Sequence, residues 1–159
     1  MQVRPEQPAD RAAIHAVVVA AFGQKDEADL VDVLRDAGDA VVSLVAVEGD
    51  RVVGHVMLSA MQAPFRALGL APVSVVPDRQ SAGLGSALIV EAVRLAHEAG
   101  YAAIFVLGDQ AYYSRFGFDV EAAAAFSSPY AGHHFAVLAL QPLPTTTGAV
   151  EYAPAFGAL

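Results

Sequence analysis

Apolar residues along the chain follow a helical spacing first and a strand spacing afterwards. Ile14, Val17, Val18 and Ala21 predict a first helix, with Asp10 where a cap belongs and Gly23 ending the run. A short apolar start at Val3 precedes it. Leu30, Val33 and Leu34 predict a second helix, with Asp26, Glu27 and Asp29 near its positive end and Gly38 stopping it. From Val41 to Val47 the residues become β-branched, Glu48-Gly49-Asp50 reads as a turn, and Arg51 to Met61 reads as the returning strand of a hairpin. After a loop around Ala63-Pro64, Leu68 to Val76 predicts a third apolar strand that ends at Pro77.

A third helix follows from Leu84 to Ala99, with Leu84, Leu88, Ala92 and Leu95 on one stripe and Glu91, Arg94 and Glu98 on another. Gly100 suits its left-handed C-terminal cap. Ala102 to Leu107 is a short buried strand, so strand, helix and strand form a crossover and imply a parallel pair. Ala111 to Phe116 reads as a helical turn, Phe118 to Val120 as an extended piece, and Phe135 to Leu140 as the final strand. The tail from Gln141 is rich in Pro, Thr and Ala and is expected to wrap the surface. This order, helices first, predicts an α/β or α+β domain with a mixed sheet and helices on both faces.

Composition narrows the picture. With 159 residues and 16.5 kDa, the chain suits one domain spanning positions 1–159. A domain of this size buries roughly 68–70% of its unfolded surface, enough to fold without staples. Hydrophobic residues make up 55% and the mean hydropathy is +0.45, yet the longest uncharged stretch, Ala122 to Val150, is broken by prolines, serines and histidines. No membrane span is expected from it, and the opening MQVRPEQPAD lacks a secretory apolar run, so the expected location is cytoplasmic. The absence of cysteine excludes disulfides and thiolate metal sites. A formal charge of −8 opposes attraction to nucleic acid or anionic membranes. Any anionic ligand must therefore be held by local features.

One turn offers such features. Val73 to Ser86 joins a buried strand to an amphipathic helix through Gln80, Ser81, Ala82, Gly83, Leu84 and Gly85. Two glycines let the backbone turn tightly, and the unpaired amides at a helix start suit a phosphate. Arg79 can add a formal charge. Read alone, the glycines could equally just shape the connection. A dinucleotide fingerprint is missing its third glycine, since Leu88 stands there, and no Gly-Lys-Ser/Thr of a P-loop is present.

Gln80, Gly83 and Gly85, preceded by Val75-Val76-Pro77, make a Gln-x-x-Gly-x-Gly turn, and Tyr112-Tyr113-Ser114-Arg115-Phe116-Gly117-Phe118 follows further on. The two motifs, in this order, resemble the coenzyme A signature and the later tyrosine motif of the GCN5-related N-acetyltransferase (GNAT) superfamily. Pro8-Ala9-Asp10, the Gly54-bearing hairpin, Leu68 to Val73, Val106 to Asp109 and the ending Gly148 to Phe156 extend the resemblance over essentially the whole chain. They are most similar to its YhbS-type branch of predicted acetyltransferases.

The resemblance implies a twisted, mostly antiparallel mixed sheet whose one parallel strand pair splays apart. Acetyl-coenzyme A would enter that gap as co-substrate, and an amine would be the acceptor. Val75 and Val76 would bond the pantetheine arm, and the amides from Gln80 to Ser86 (Ser81, Ala82, Gly83, Leu84 and Gly85 between them), aided by Arg79, would hold the pyrophosphate. A backbone amide near a strand bulge would polarise the thioester carbonyl. Tyr113 matches the family's proton-donating tyrosine, with Tyr112 as its substitute. The strand that carries a glutamate in some members holds no carboxylate here, so Glu27 and His55 are the candidate bases. Each has an ordinary alternative, Glu27 as a helix-end charge and His55 as a satisfied strand histidine. His133-His134 lacks further ligand spacing, so no metal is expected. A homodimer through sheet edges or C-terminal strands is compatible with the resemblance. A non-catalytic acyl-coenzyme A-binding module and a plain interaction domain are the competing readings.

Overall fold

The computed structural model describes residues 1–158. Its first element is a strand, β1 (Gln2–Pro5), where the sequence suggested only an apolar start before the helices. A 3-10 turn, Pro8–Asp10, leads into α1 (Arg11–Phe22) and α2 (Asp26–Asp36). Asp10 stands at the N-cap of α1, as its sequence position implies, but makes no side-chain capping bond there. Its carboxylate accepts from the Gln7 amide at 2.7 Å and from Arg4 at 2.7 Å, which ties β1 to the turn instead. Gly23 ends α1 in the left-handed conformation, as its sequence position implies. In α2 the buried face is Ala28, Leu30, Val31 and Leu34, whereas Val33 is exposed.

The hairpin β2 (Ala40–Glu48) and β3 (Arg51–Ala60) is followed by β4 (Ala67–Val75), α3 (Leu84–Glu98) and β5 (Ala103–Leu107). Then come α4 (Gln110–Tyr113), a 3-10 turn at Ser114–Phe116, α5 (Val120–Ala123), β6 (Phe126–Ser127), β7 (Phe135–Ala139) and β8 (Gly148–Ala149). Val120 therefore opens a helix instead of extending a strand, because the Asp119 carboxylate caps the amides of Glu121 and Ala122. β7 is likewise not the last strand, since β8 pairs with β6.

Six strands form one sheet in the order β1-β2-β3-β4-β5-β7. Every neighbouring pair is antiparallel except β4 and β5, which are parallel as the crossover requires. Side chains alternate between the faces, so Leu44, Val56, Leu68 and Ile104 pack under α3, while Val45 and Met57 pack under α1 and α2. Phe105, Phe126 and Phe135 form a further apolar cluster with Val137 and Val150. Among the described residues, no helix is long and apolar enough to cross a membrane.

The tail does more than wrap the surface. Gln62 and Glu151 exchange backbone hydrogen bonds at 2.8 and 2.9 Å, and Val150, Ala153 and Phe156 are buried in the apolar clusters.

One irregularity sets up the site. Val56 pairs with Val73 and Leu58 with Leu70, so β4 has an extra residue at Ala71-Pro72 opposite Met57. Pro72 has no amide to donate. β4 pairs with β5 only from Ala67 to Leu70 and then runs on to Val75. Beyond the bulge the parallel strands part.

Candidate active site

Two cavities meet where β4 and β5 part. The first, about 660 Å³, is lined by Val73, Val75, Arg79, Gln80, Ser81, Gly83, Leu84, Gly85, Ser86, Tyr112 and Arg115. The second, about 700 Å³, lies against Phe22, Glu27, Leu30, the bulged Leu70 to Val73, the end of β5, Tyr112, Tyr113, Tyr130, Tyr152 and Phe156. Val73 and Tyr112 line both. A molecule lying along β4 would have one end in each cavity.

The first cavity ends at the glycine-rich turn. Ser81 and Gly83 both take positive φ, 65° and 85°, which turns the chain sharply into α3. Such a φ at a residue other than glycine is uncommon, so Ser81 is a strained position. Gly83 caps α3 without a side-chain hydrogen bond. Among the described residues, the amides of Ser81 to Ser86 have no hydrogen-bond partner. A run of free amides at the positive end of a fifteen-residue helix suits phosphate oxygens. Gln80 braces the turn by donating from its side chain to the Val75 carbonyl at 3.0 Å.

Eight of the ten residues expected to bind the cofactor line this cavity. Ala82 is exposed outside it. Val76 is buried in the core, and its amide donates to the Val53 carbonyl at 2.9 Å, so it has no donor free for a ligand. Arg79 lines the cavity but is held by Glu48 through two hydrogen bonds of 2.7 and 2.5 Å. Arg115, which the sequence reading passed over within the tyrosine motif, also lines it and forms no salt bridge among the described residues. Its guanidinium carbon stands 5.5 Å from the Tyr112 ring centre.

The two tyrosines part as consecutive residues on a helical turn must. Tyr112 reaches toward the phosphate turn, its hydroxyl 3.3 Å from the Ser86 hydroxyl. Tyr113 lines only the second cavity, edge-on to Tyr112 and Phe118. Burial, with a smaller contribution from Tyr112, pushes the Tyr113 hydroxyl up to about 12.

Of the candidate bases, Glu27 lines the second cavity and accepts a hydrogen bond from Gln24 at 2.6 Å. His55 lines neither cavity. It is fully buried on β3, bonded through Nε2 to Ser43 at 2.8 Å, and burial lowers it to about 4. His133 and His134 are exposed. Among the described residues, His15, Asp29 and Asp32 have ligand-like spacing, but they lie outside both cavities and Asp32 is already paired with Arg11 and Arg35.

Residues from the C-terminal tail complete the second cavity. The Tyr152 ring lies over Gly69 of β4, edge-on to Tyr130 and beside Phe156. Burial raises its hydroxyl well above the usual tyrosine range, and among the described residues that hydroxyl has no hydrogen-bond partner.

The parallel pair thus stops at Leu70 and Val106, with a turn of free amides on one side and a largely apolar cavity on the other. Residues 12–118 match the Acetyltransferase (GNAT) family, and the chain belongs to it. It is 36% identical over 160 residues to the uncharacterised N-acetyltransferase YhbS of Escherichia coli (strain K12), covering 96% of each chain. The uncharacterised N-acetyltransferase YjhQ of the same strain is 35% identical over 118 residues, which is 69% of this chain and 65% of YjhQ. The crystal structure of Escherichia coli YhbS in complex with CoA superposes with a TM-score of 0.91 at 34% identity, covering 98% of this chain and 91% of that one. A GNAT family acetyltransferase from Brucella melitensis, in complex with acetyl-CoA, gives 0.84 at 37% identity, covering 98% and 97%.

Proposed function

We propose that residues 1–159 act as one acetyl-coenzyme A-dependent N-acetyltransferase domain, passing the acetyl group directly to an amine. The observation that carries this reading is the meeting of the two cavities at Val73 and Tyr112, beyond the last β4–β5 pair. The pyrophosphate takes the free amides of Ser81 to Ser86, and the pantetheine arm follows β4 toward the bulge as an added strand would. The acceptor enters from the second cavity.

The amine nitrogen, once neutral, attacks the thioester carbonyl carbon. The tetrahedral oxyanion is stabilised by a backbone amide at the bulge; Pro72 has none, and Val73, which lines both cavities, is the candidate donor. The attacking nitrogen, now cationic, gives up its second proton through water, the carbonyl re-forms, and the C–S bond breaks so that coenzyme A leaves as a thiolate to which Tyr113 donates a hydrogen bond. With Tyr113 near 12 and a thiol near 8.5, complete proton transfer is uphill by about 5 kcal/mol, so Tyr113 works as a hydrogen-bond donor while charge develops. Glu27 draws the ammonium in and receives its proton directly or through water. Tyr112, with Ser86 and Arg115, positions the coenzyme.

A second reading, an acyl-coenzyme A-binding module without turnover, is favoured by one feature. β4 carries no carboxylate, and His55 is walled off from the cavities. Free-thiol release from acetyl-coenzyme A, measured with and without a panel of amines, separates the two. Amine-dependent release supports transfer; tight binding with no release for any amine supports the module.

A further inference from the structure

The second cavity has a chemistry of its own. Its walls come from α1, α2, β4, β5, α4, the loop at Tyr130 and the tail, and most are apolar or aromatic: Phe22, Leu30, Leu70, Leu107, Tyr130 and Phe156 among them, with three further tyrosine rings. Three of these are unusually exposed for their size, Phe22 at 44%, Leu107 at 47% and Tyr130 at 37%. Large apolar side chains scattered singly on a surface need no explanation, but three around one opening form a patch. Among the described residues, the charged ones lining the cavity are Glu27 and Asp109, with no lysine, arginine or histidine. Asp109 accepts from the Ala111 amide at 3.0 Å and Glu27 from Gln24, so neither is neutralised by a cation.

Resting on the N-acetyltransferase reading, we propose that the acceptor is a monocationic amine carried on an apolar, ring-bearing body, and that Phe22 and Leu107 help set this specificity. Three classes of amine fit less well. A polyamine or aminosugar carries several charges and hydrogen-bonding groups that apolar walls would strip of water without replacing. An amino acid brings a carboxylate toward two carboxylates with no basic group to receive it. A small polar amine leaves the rim exposed. A flat ring has Phe22, Leu107 and Tyr130 among the lining to lie against, and its ammonium has Glu27 and Asp109 to meet. A volume of about 700 Å³ lies within the range of pockets that enclose drug-sized ligands, so one or two rings are accommodated.

The test is calorimetric titration of the coenzyme A-loaded protein with tryptamine, tryptophan and spermidine, followed by acetylation assays with the same three compounds. Tryptamine is expected to bind at least about 10-fold more tightly than either of the others. The double variant Phe22→Gln/Leu107→Gln, whose side chains are exposed, should fold normally and keep its coenzyme A affinity while losing about 10-fold in tryptamine affinity. Glu27→Gln should also weaken tryptamine. Equal or tighter binding of spermidine or tryptophan, no tryptamine binding, or an unchanged double variant would overturn the proposal. Tryptamine bound but never acetylated would leave this specificity standing and remove the transferase reading. Spermidine acetylated in preference to tryptamine would do the reverse.

Discussion

The Tyr152 ring lies so close over Gly69 that a Cβ on residue 69 would stand 2.5 Å from Tyr152 Cε1. A tail residue and a central strand are thereby locked together beside the second cavity. Gly69→Ala must displace the ring and, as an overpacking change, should cost about 1–3 kcal/mol in chemical denaturation. Trimming the ring in Gly69→Ala/Tyr152→Leu should make the added methyl cheaper than it is in the native background. Full additivity of the two changes would contradict the contact.

Arg79 and Arg115 line the same cavity with different partners. Arg79 must loosen from Glu48 to serve a phosphate, whereas Arg115 has no carboxylate to leave among the described residues. Arg115→Ala should therefore weaken coenzyme A binding by about 10-fold, more than Arg79→Ala does. Equal losses, or a greater loss at Arg79, would show that the Glu48 pair opens without penalty.

His55 makes stability depend on pH. Burial lowers its folded-state value to about 4 from the ordinary 6.5, so between these values the unfolded chain binds the extra proton. Stability is complete above about pH 6.5 and falls as pH drops toward 4, by roughly 3 kcal/mol in total from this group. Urea midpoints at pH 7 and pH 4.5 measure the slope. His55→Gln should flatten it, and an unchanged slope would assign the effect to other groups.

Tyr113→Phe should lower turnover by about 10- to 100-fold and leave the coenzyme A dissociation constant unchanged. Since burial holds the native hydroxyl near 12, it stays protonated through neutral and mildly alkaline pH. No alkaline fall in rate from this residue is expected below about pH 11. If Tyr112→Phe lost turnover and Tyr113→Phe did not, the two roles would be exchanged.

The sheet, the crossover and the phosphate turn were legible because each rests on local signals. Alternation marks the hairpin, a leucine stripe marks α3, and Gly83 and Gly85 mark the turn. β1 escaped notice because four residues ending in Pro5 carry too little alternation, and their pairing with β2 lies about forty residues away. The tail was misjudged for a similar reason. Val150, Tyr152 and Phe156 follow no helical or strand period, and their burial depends on surfaces built from β4 and α2. Arg79 looked free because Glu48, its partner, lies 31 positions earlier. Arg115 stood in plain view inside the tyrosine motif, beside two tyrosines that drew the chemical reading away from it. Asp10 stands at the expected N-cap of α1, but its carboxylate closes the turn before that helix.

On the proposed function, the amides between Ser81 and Ser86 hold acetyl-coenzyme A beside the parted strands. The most direct test is calorimetric titration of acetyl-coenzyme A into the native protein and into Gly83→Glu, which places a charge and a strained φ at the cap of α3. Micromolar, one-to-one binding to the native chain is expected, with at least about 100-fold weaker binding to the variant and both proteins folded. Absence of binding to the native protein, or equal binding by the variant, would contradict it.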